Sequence, residues 1–373
     1  MRLRVRPLGA GLSRQMPPVI GIGLLVALCP PDAQASPATR AILPLTIRDC
    51  GLSIGNAPRV NGIRINLSDS GVEQVNGLNL TLWKPVQNDS AVVNGIALGL
   101  VAPDAGAIHG IALGIGAVRT NERFAGVQAA GLGLAAQGGT YGFSAAGLGI
   151  SVEGPAWGVN IAGLGIAAEG PITGVGLAGL GLSGEKDMTG ITFGGLGLSC
   201  EGRATGLAVG GLGIACEGGA RGILLGGLGV ACEREAEGLL FGGLGVACER
   251  DARGILLGGL GVACEGRATG LILGGLGGVA EGGVDGLAIG GAGIVTEEDV
   301  NGCAVAGLAV AAREINGLSV AGYNRILGTH RGLAIGIYNR ARELRGVQLG
   351  LLNRADNNPP PFRYLPALNL HLN

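Results

Sequence analysis

Aromatic residues are scarce: two Trp, four Tyr and five Phe in 373 residues. That leaves little material for the bulky core of an ordinary globular domain. Charge is thin as well, with 14% of residues charged and a formal net charge of −1. The lysines are Lys84 and Lys186 alone, and no basic patch of the kind that binds nucleic acid is present. Three histidines, His109, His330 and His371, lie far apart. No Ser-His-Asp order, H-E-x-x-H or C-x-x-C pattern is recognisable, so the chain reads as a non-enzyme with no cofactor. One dinucleotide-like match, Gly174-Val-Gly-Leu-Ala-Gly179, is what dense glycine generates by chance, with no helix expected after it.

What is abundant is glycine, 77 of 373 residues, roughly three times the usual share. No Gly-X-Y period exists, which excludes collagen, and a hydrophobic content of 47% excludes disorder. A repeat architecture remains. At the N-terminus, Arg2, Arg4, Arg6 and Arg14 precede an apolar stretch from Val19 to Leu28 and an A-x-A site at Ala33-Gln34-Ala35. This is the pattern of a secretory signal, too short to span a membrane stably. Cys29 follows Leu28, a poor context for lipidation, so export without a lipid anchor is expected.

An x-Gly-apolar step recurs every 16 residues, from Gly126 through Gly222, Gly238 and Gly254 to Gly302. Irregular copies begin at Gly62, Gly77, Gly95 and Gly110, and shorter ones at Gly317, Gly332 and Gly346. Counting the opening glycine as position zero, apolar residues fall at positions one and three (Ile223, Leu225) and at six and eight (Leu228, Val230). Each pair has the period of two of a half-buried strand, but the parity changes between pairs. Two short strands joined at Gly226-Gly227 can place both pairs inside, Leu244 among them. The expectation is therefore an all-β parallel β-solenoid, a two-sheet β-roll or β-helix of about nineteen coils of 14–18 residues, a rod on the order of 90 Å long. Its parts are a signal peptide (1–35), an N-terminal cap (36–61), irregular repeats (62–125), regular 16-residue repeats (126–316), shorter Asn-containing repeats (317–356) and a C-terminal cap (357–373). The competing architecture is an outer-membrane β-barrel or pore, since Gly254 to Cys264 has the length of a membrane strand. The parity change, the missing aromatic girdles and the ending Leu370-His-Leu-Asn373 count against it.

The late copies Gly332-Leu-Ala-Ile-Gly-Ile-Tyr-Asn339-Arg340 and Gly346-Val-Gln-Leu-Gly-Leu-Leu-Asn353-Arg354 resemble the repeat of uncharacterised bacterial exported surface-repeat proteins. Asn76-Gly-Leu-Asn-Leu-Thr-Leu-Trp83 and the Pro- and Phe-rich tail are similar too, while the 16-residue block departs by placing Cys-Glu or Ala-Glu where Asn stands. The resemblance implies export and a surface location, and no biochemical activity.

Stacking turns repeats into columns. The acidic column includes Glu201, Glu217, Glu233, Glu249 and Glu265. Such a column must be solvated, paired or metal-bound. Arg203, Arg234, Arg250 and Arg267 are at hand as partners, and one Glu per coil is thin for calcium. Cys200, Cys216, Cys232, Cys248 and Cys264 occupy a slot that elsewhere holds Ala, Val or Gly, as small buried thiols or, alternatively, bridged neighbours. Cys303 falls in an inward slot on the same reading, and Cys50 has no evident partner. With positions one and three inside, position two faces out, and Leu224, Leu240, Leu256 and Ile272 form an exposed aliphatic ladder, the interface candidate. A flat strip of Gly and Ala, such as Gly229 and Ala231, covers the second sheet. The functional expectation is a structural or adhesive surface protein that self-associates or docks on an envelope component or a lipid surface. A cation- or glycan-binding solenoid is the alternative of a different class.

Overall fold

The computed structural model describes residues 43–47, 49–86 and 88–372. The expected signal segment (1–35) and Cys29 lie outside the described residues. Among the described residues there are strands and turns and no helix. The chain winds as a parallel β-solenoid of about 17 turns.

A central coil shows the plan. Strand Ala220–Gly226 is followed by a corner at Gly227-Leu228, strand Gly229–Cys232, a polar corner, and then strand Ala236–Gly242 of the next coil. Like pairs with like, in parallel: Gly222 with Gly238 and Leu224 with Leu240 in the first sheet, Gly229 with Gly245 and Cys232 with Cys248 in the second. The step is 16 residues through the regular block. Since neighbouring coils run parallel, the antiparallel barrel does not form. From Glu314 to Ala355 one unbroken strand of 42 residues passes through the last coils. Both ends are closed by antiparallel pairing. Leu43–Ile47 lies against Cys50–Ile54, and Tyr364–His371 turns back onto Gly346–Arg354. Pro44 and Pro366 remove backbone donors from these terminal strands, which discourages further pairing at the edges.

Glycine is required at the opening position of every coil and at one corner position through the regular block. Gly238 sits at φ 125°, where a side chain is strained, and a Cβ there would collide with the carbonyl of Gly222 one coil earlier. At the corner the need is space: a Cβ on Gly227 would meet the Gly211 carbonyl beneath, whereas the slot of Gly226 holds alanine in other coils, as at Ala178.

The interior corrects the expected parity. Even positions face in through the regular block: Ala220, Leu224 and Gly226 from the first strand, Val230 and Cys232 from the second. Ile223 is 45% exposed and Leu225 half-buried. Leu228 and Leu244 at the corner are each 50% exposed, so Leu244 is not a core residue. There is no parity change to explain. The two sheets enclose a narrow slot that admits small side chains and one or two larger ones per coil. Volumes compensate along it. The Gly174 coil pairs Ile172 and Leu182 with glycine in the slot of Leu224, and a Cβ on Gly176 would stand 2.9 Å from the Leu182 Cδ1. The Gly222 coil reverses this, setting Leu224 against Ala220 and Val230.

Candidate functional surface

The proposed ladder of Leu224, Leu240, Leu256 and Ile272 is buried, with at most 3% of each residue exposed. These side chains are the core and cannot form an interface. The exposed aliphatic surface exists on the columns read as interior. Position one presents Ile191, Ile223 and Ile255, and position three presents Phe193, Phe241 and Ile289. At the glycine corner, position six carries Leu164, Leu180, Leu196, Leu212, Leu228, Leu244, Leu260 and Leu276 in sequence, each exposed by 45–60%. On the last coils Tyr323, in register with Ala309 beside that row, and Tyr338 stack their rings with centroids 5.3 Å apart.

Beside the position-three wall runs a shallow groove at the corner. One stretch, of about 380 Å³, lies under Phe241, Leu257, Leu273 and Ile289 with Gly258, Gly259, Gly274 and Gly275 in its floor. Another, of about 430 Å³, lies in the early coils between Leu80, Leu98 and Leu113 on one side and Leu82, Leu100 and Ile115 on the other. No charged side chain lines either stretch. The rod is thus amphipathic in cross-section: a leucine edge and its flanking face oppose a corner of glutamate and arginine.

On that polar corner Glu201, Glu217, Glu233, Glu249 and Glu265 are all exposed. Partial burial and the carboxylates of Glu233 and Glu201 raise the pKa of Glu217. The arginines expected to neutralise the column do not bridge it. Arg267 pairs with Asp285 at 3.0 Å, and Arg221 with Glu237 at 3.4 Å. The backbone N–H groups of Arg203 and Arg267 donate to Asp187 and Asp251 of the preceding coil, both at 2.8 Å. Among the described residues no three His, Cys, Asp or Glu side chains converge as a metal site.

Cys200, Cys216, Cys232, Cys248 and Cys264 are buried, and among the described residues every cysteine is a free thiol. Hydrogen bonding with the Cys216 thiol, together with burial, pushes Cys232 up to about 12. Burial raises Cys200 to about 11 and Cys264 to about 12. Thiols held this far from ionisation are poor nucleophiles and pack as small apolar groups. Cys303 occupies position one, which faces out, and is half-buried rather than interior.

Two polar constructions escaped the sequence reading. Near the N-terminal end Arg64 fills the slot of Leu240 and is fully buried. It donates to Asp69 at 2.6 Å and to Asn79 at 2.8 Å, while Asp69 also accepts from Thr81 at 2.6 Å. Near the other end Asn324, Asn339 and Asn353 stack in the interior, each Nδ2 donating to the next Oδ1 at 2.7 Å. Asn324 pairs with Val310 in register, so the ladder replaces an aliphatic column. The recurrence of Asn339 and Asn353 at equivalent places was the available signal. His330 is also buried, with neither ring nitrogen hydrogen-bonded, and burial lowers its pKa to about 4.

Compared with known proteins, the chain matches no family model, no curated protein and no solved structure.

Proposed function

We propose that this chain is an exported structural or adhesive rod that works at the cell envelope through its leucine edge and the apolar face beside it. One observation carries the reading: the bulkiest aliphatic columns of the repeat, at positions one, three and six, face outward in coil after coil. An exposed apolar strip of this extent is costly to leave in water and marks an interaction surface. The secretory pattern at the N-terminus and the resemblance of the late repeats to exported surface-repeat proteins support the location. The repeat supports the mechanism, because a solenoid multiplies one weak contact by the number of coils.

The test is Leu228, Leu244 and Leu260 changed together to Ser. The variant should keep the far-UV circular dichroism and melting behaviour of the parent while losing most of its retention on cells or envelope fractions. Unchanged retention would overturn the reading.

A further inference from the structure

Resting on that reading, we propose that the partner of the apolar face is a second copy of this chain, packed face to face and antiparallel. The two-fold axis runs along the strand direction and passes between the coils of Gly238 and Gly254.

Three observations lead to this arrangement. The first is periodicity. The exposed columns repeat at the strand spacing, about 4.8 Å, and a second copy offers the same step, so a contact that fits once fits in every coil. The second is area. A strip about five residues wide and about twelve coils long covers roughly 1,000 Å², against the roughly 800 Å² per partner of a stable interface. An isologous pair also closes on itself and leaves no sticky face exposed.

The third is charge. The column just before the opening glycine faces the same side, and it alternates in sign as Arg221, Glu237, Arg253. Arg221 and Glu237 are exposed and bridge at 3.4 Å within the chain. Among the described residues Arg253 has no carboxylate within bridging distance. With the axis where we place it, each copy's Glu237 meets the second copy's Arg253, and Arg221 meets Thr269. Further out, the exposed Trp157 meets Arg331, a cation over an aromatic face. Moving the axis by half a coil would set Glu237 against Glu237 and Arg221 against Arg253, which opposes like charges at the centre.

Sedimentation of the full chain over a concentration range tests the pairing. A dimer is expected, weakened about tenfold or more by Glu237→Arg and restored by adding Arg253→Glu. Both sites are on the surface, and circular dichroism melts at concentrations that keep the chain monomeric should not move. A chain that is monomeric at all concentrations overturns the proposal, while the retention assay above judges the envelope reading separately. Rescue of Glu237→Arg by Arg221→Glu instead of Arg253→Glu overturns the stated register. A monomer that floats with phosphatidylcholine vesicles assigns the face to lipid and also overturns the pairing.

Discussion

From Ala220 to Cys264 the interior slots hold aliphatic groups and thiols, whereas toward either end the same slots hold Arg64, Asn79, Asn324 and Asn339. The backbone repeat is shared and the contents differ. In the central coils Leu224, Leu240 and Leu256 are interchangeable, so sliding the chain by one coil replaces like with like. Packing alone therefore fixes register weakly there. The polar groups at the ends can be satisfied in one alignment only, because each amide or carboxylate needs a particular partner. The comparison assigns cohesion to the middle and register to the ends.

Breaking an end should cost the most. Arg64→Ala would leave Asp69 buried without its cation and destabilise the N-terminal coils by about 3–5 kcal/mol. Hydrogen exchange should show those coils opening while the central ones stay protected. A loss spread evenly over the molecule would erase the distinction between middle and ends.

The C-terminal coils offer a pH handle. The pKa of His330 is held near 4, below the 6.5 of a free imidazole. The folded state thus favours the neutral ring. Its contribution is fully present above about pH 6.5 and is lost as pH falls toward 4, a change on the order of 3 kcal/mol. Asp104 works in the opposite sense, because burial, outweighing Arg119, raises it to about 6. Its contribution is fully present below pH 3.8 and is lost as pH rises through 6. Urea titrations at pH 7 and pH 4.5 should show His330→Phe losing less stability on acidification than the parent. Equal losses would mean that His330 is not buried as a neutral ring.

The smallest effect belongs to the acidic column. Glu233 is exposed and among the described residues no arginine bridges it, so Glu233→Gln should shift stability by less than about 0.5 kcal/mol. A shift above 1 kcal/mol would show that the polar corner contributes to cohesion.

Much of the architecture was legible in the sequence. The 16-residue step, two strands per coil and a corner beginning within Gly226-Gly227, observed at Gly227-Leu228, all follow from spacing and glycine placement. The facing was not. Ile223, Leu225 and Leu228 are larger and more hydrophobic than Ala220, Gly226 and Cys232, so hydrophobicity pointed inward at the wrong columns. The missing physical constraint was width: a slot between two closely spaced sheets selects for small side chains, and the bulk is left outside. The small, uniform Cys slot was read correctly for that reason. Arg64 and the asparagine ladder were opaque because a buried polar residue is recognised by its partners, and those lie 5 residues away for Asp69 and 14 or 15 for the asparagines.

The facing of the repeat is tested most directly by Leu240→Ala beside Leu244→Ala, four residues apart in one coil. The measurement is the urea midpoint at concentrations low enough to keep the chain monomeric. Leu240 is buried and should cost about 2–5 kcal/mol, while Leu244 at the open edge should cost under about 1. The reverse order, or equal losses, would contradict the placement of even positions inside and the leucine edge outside.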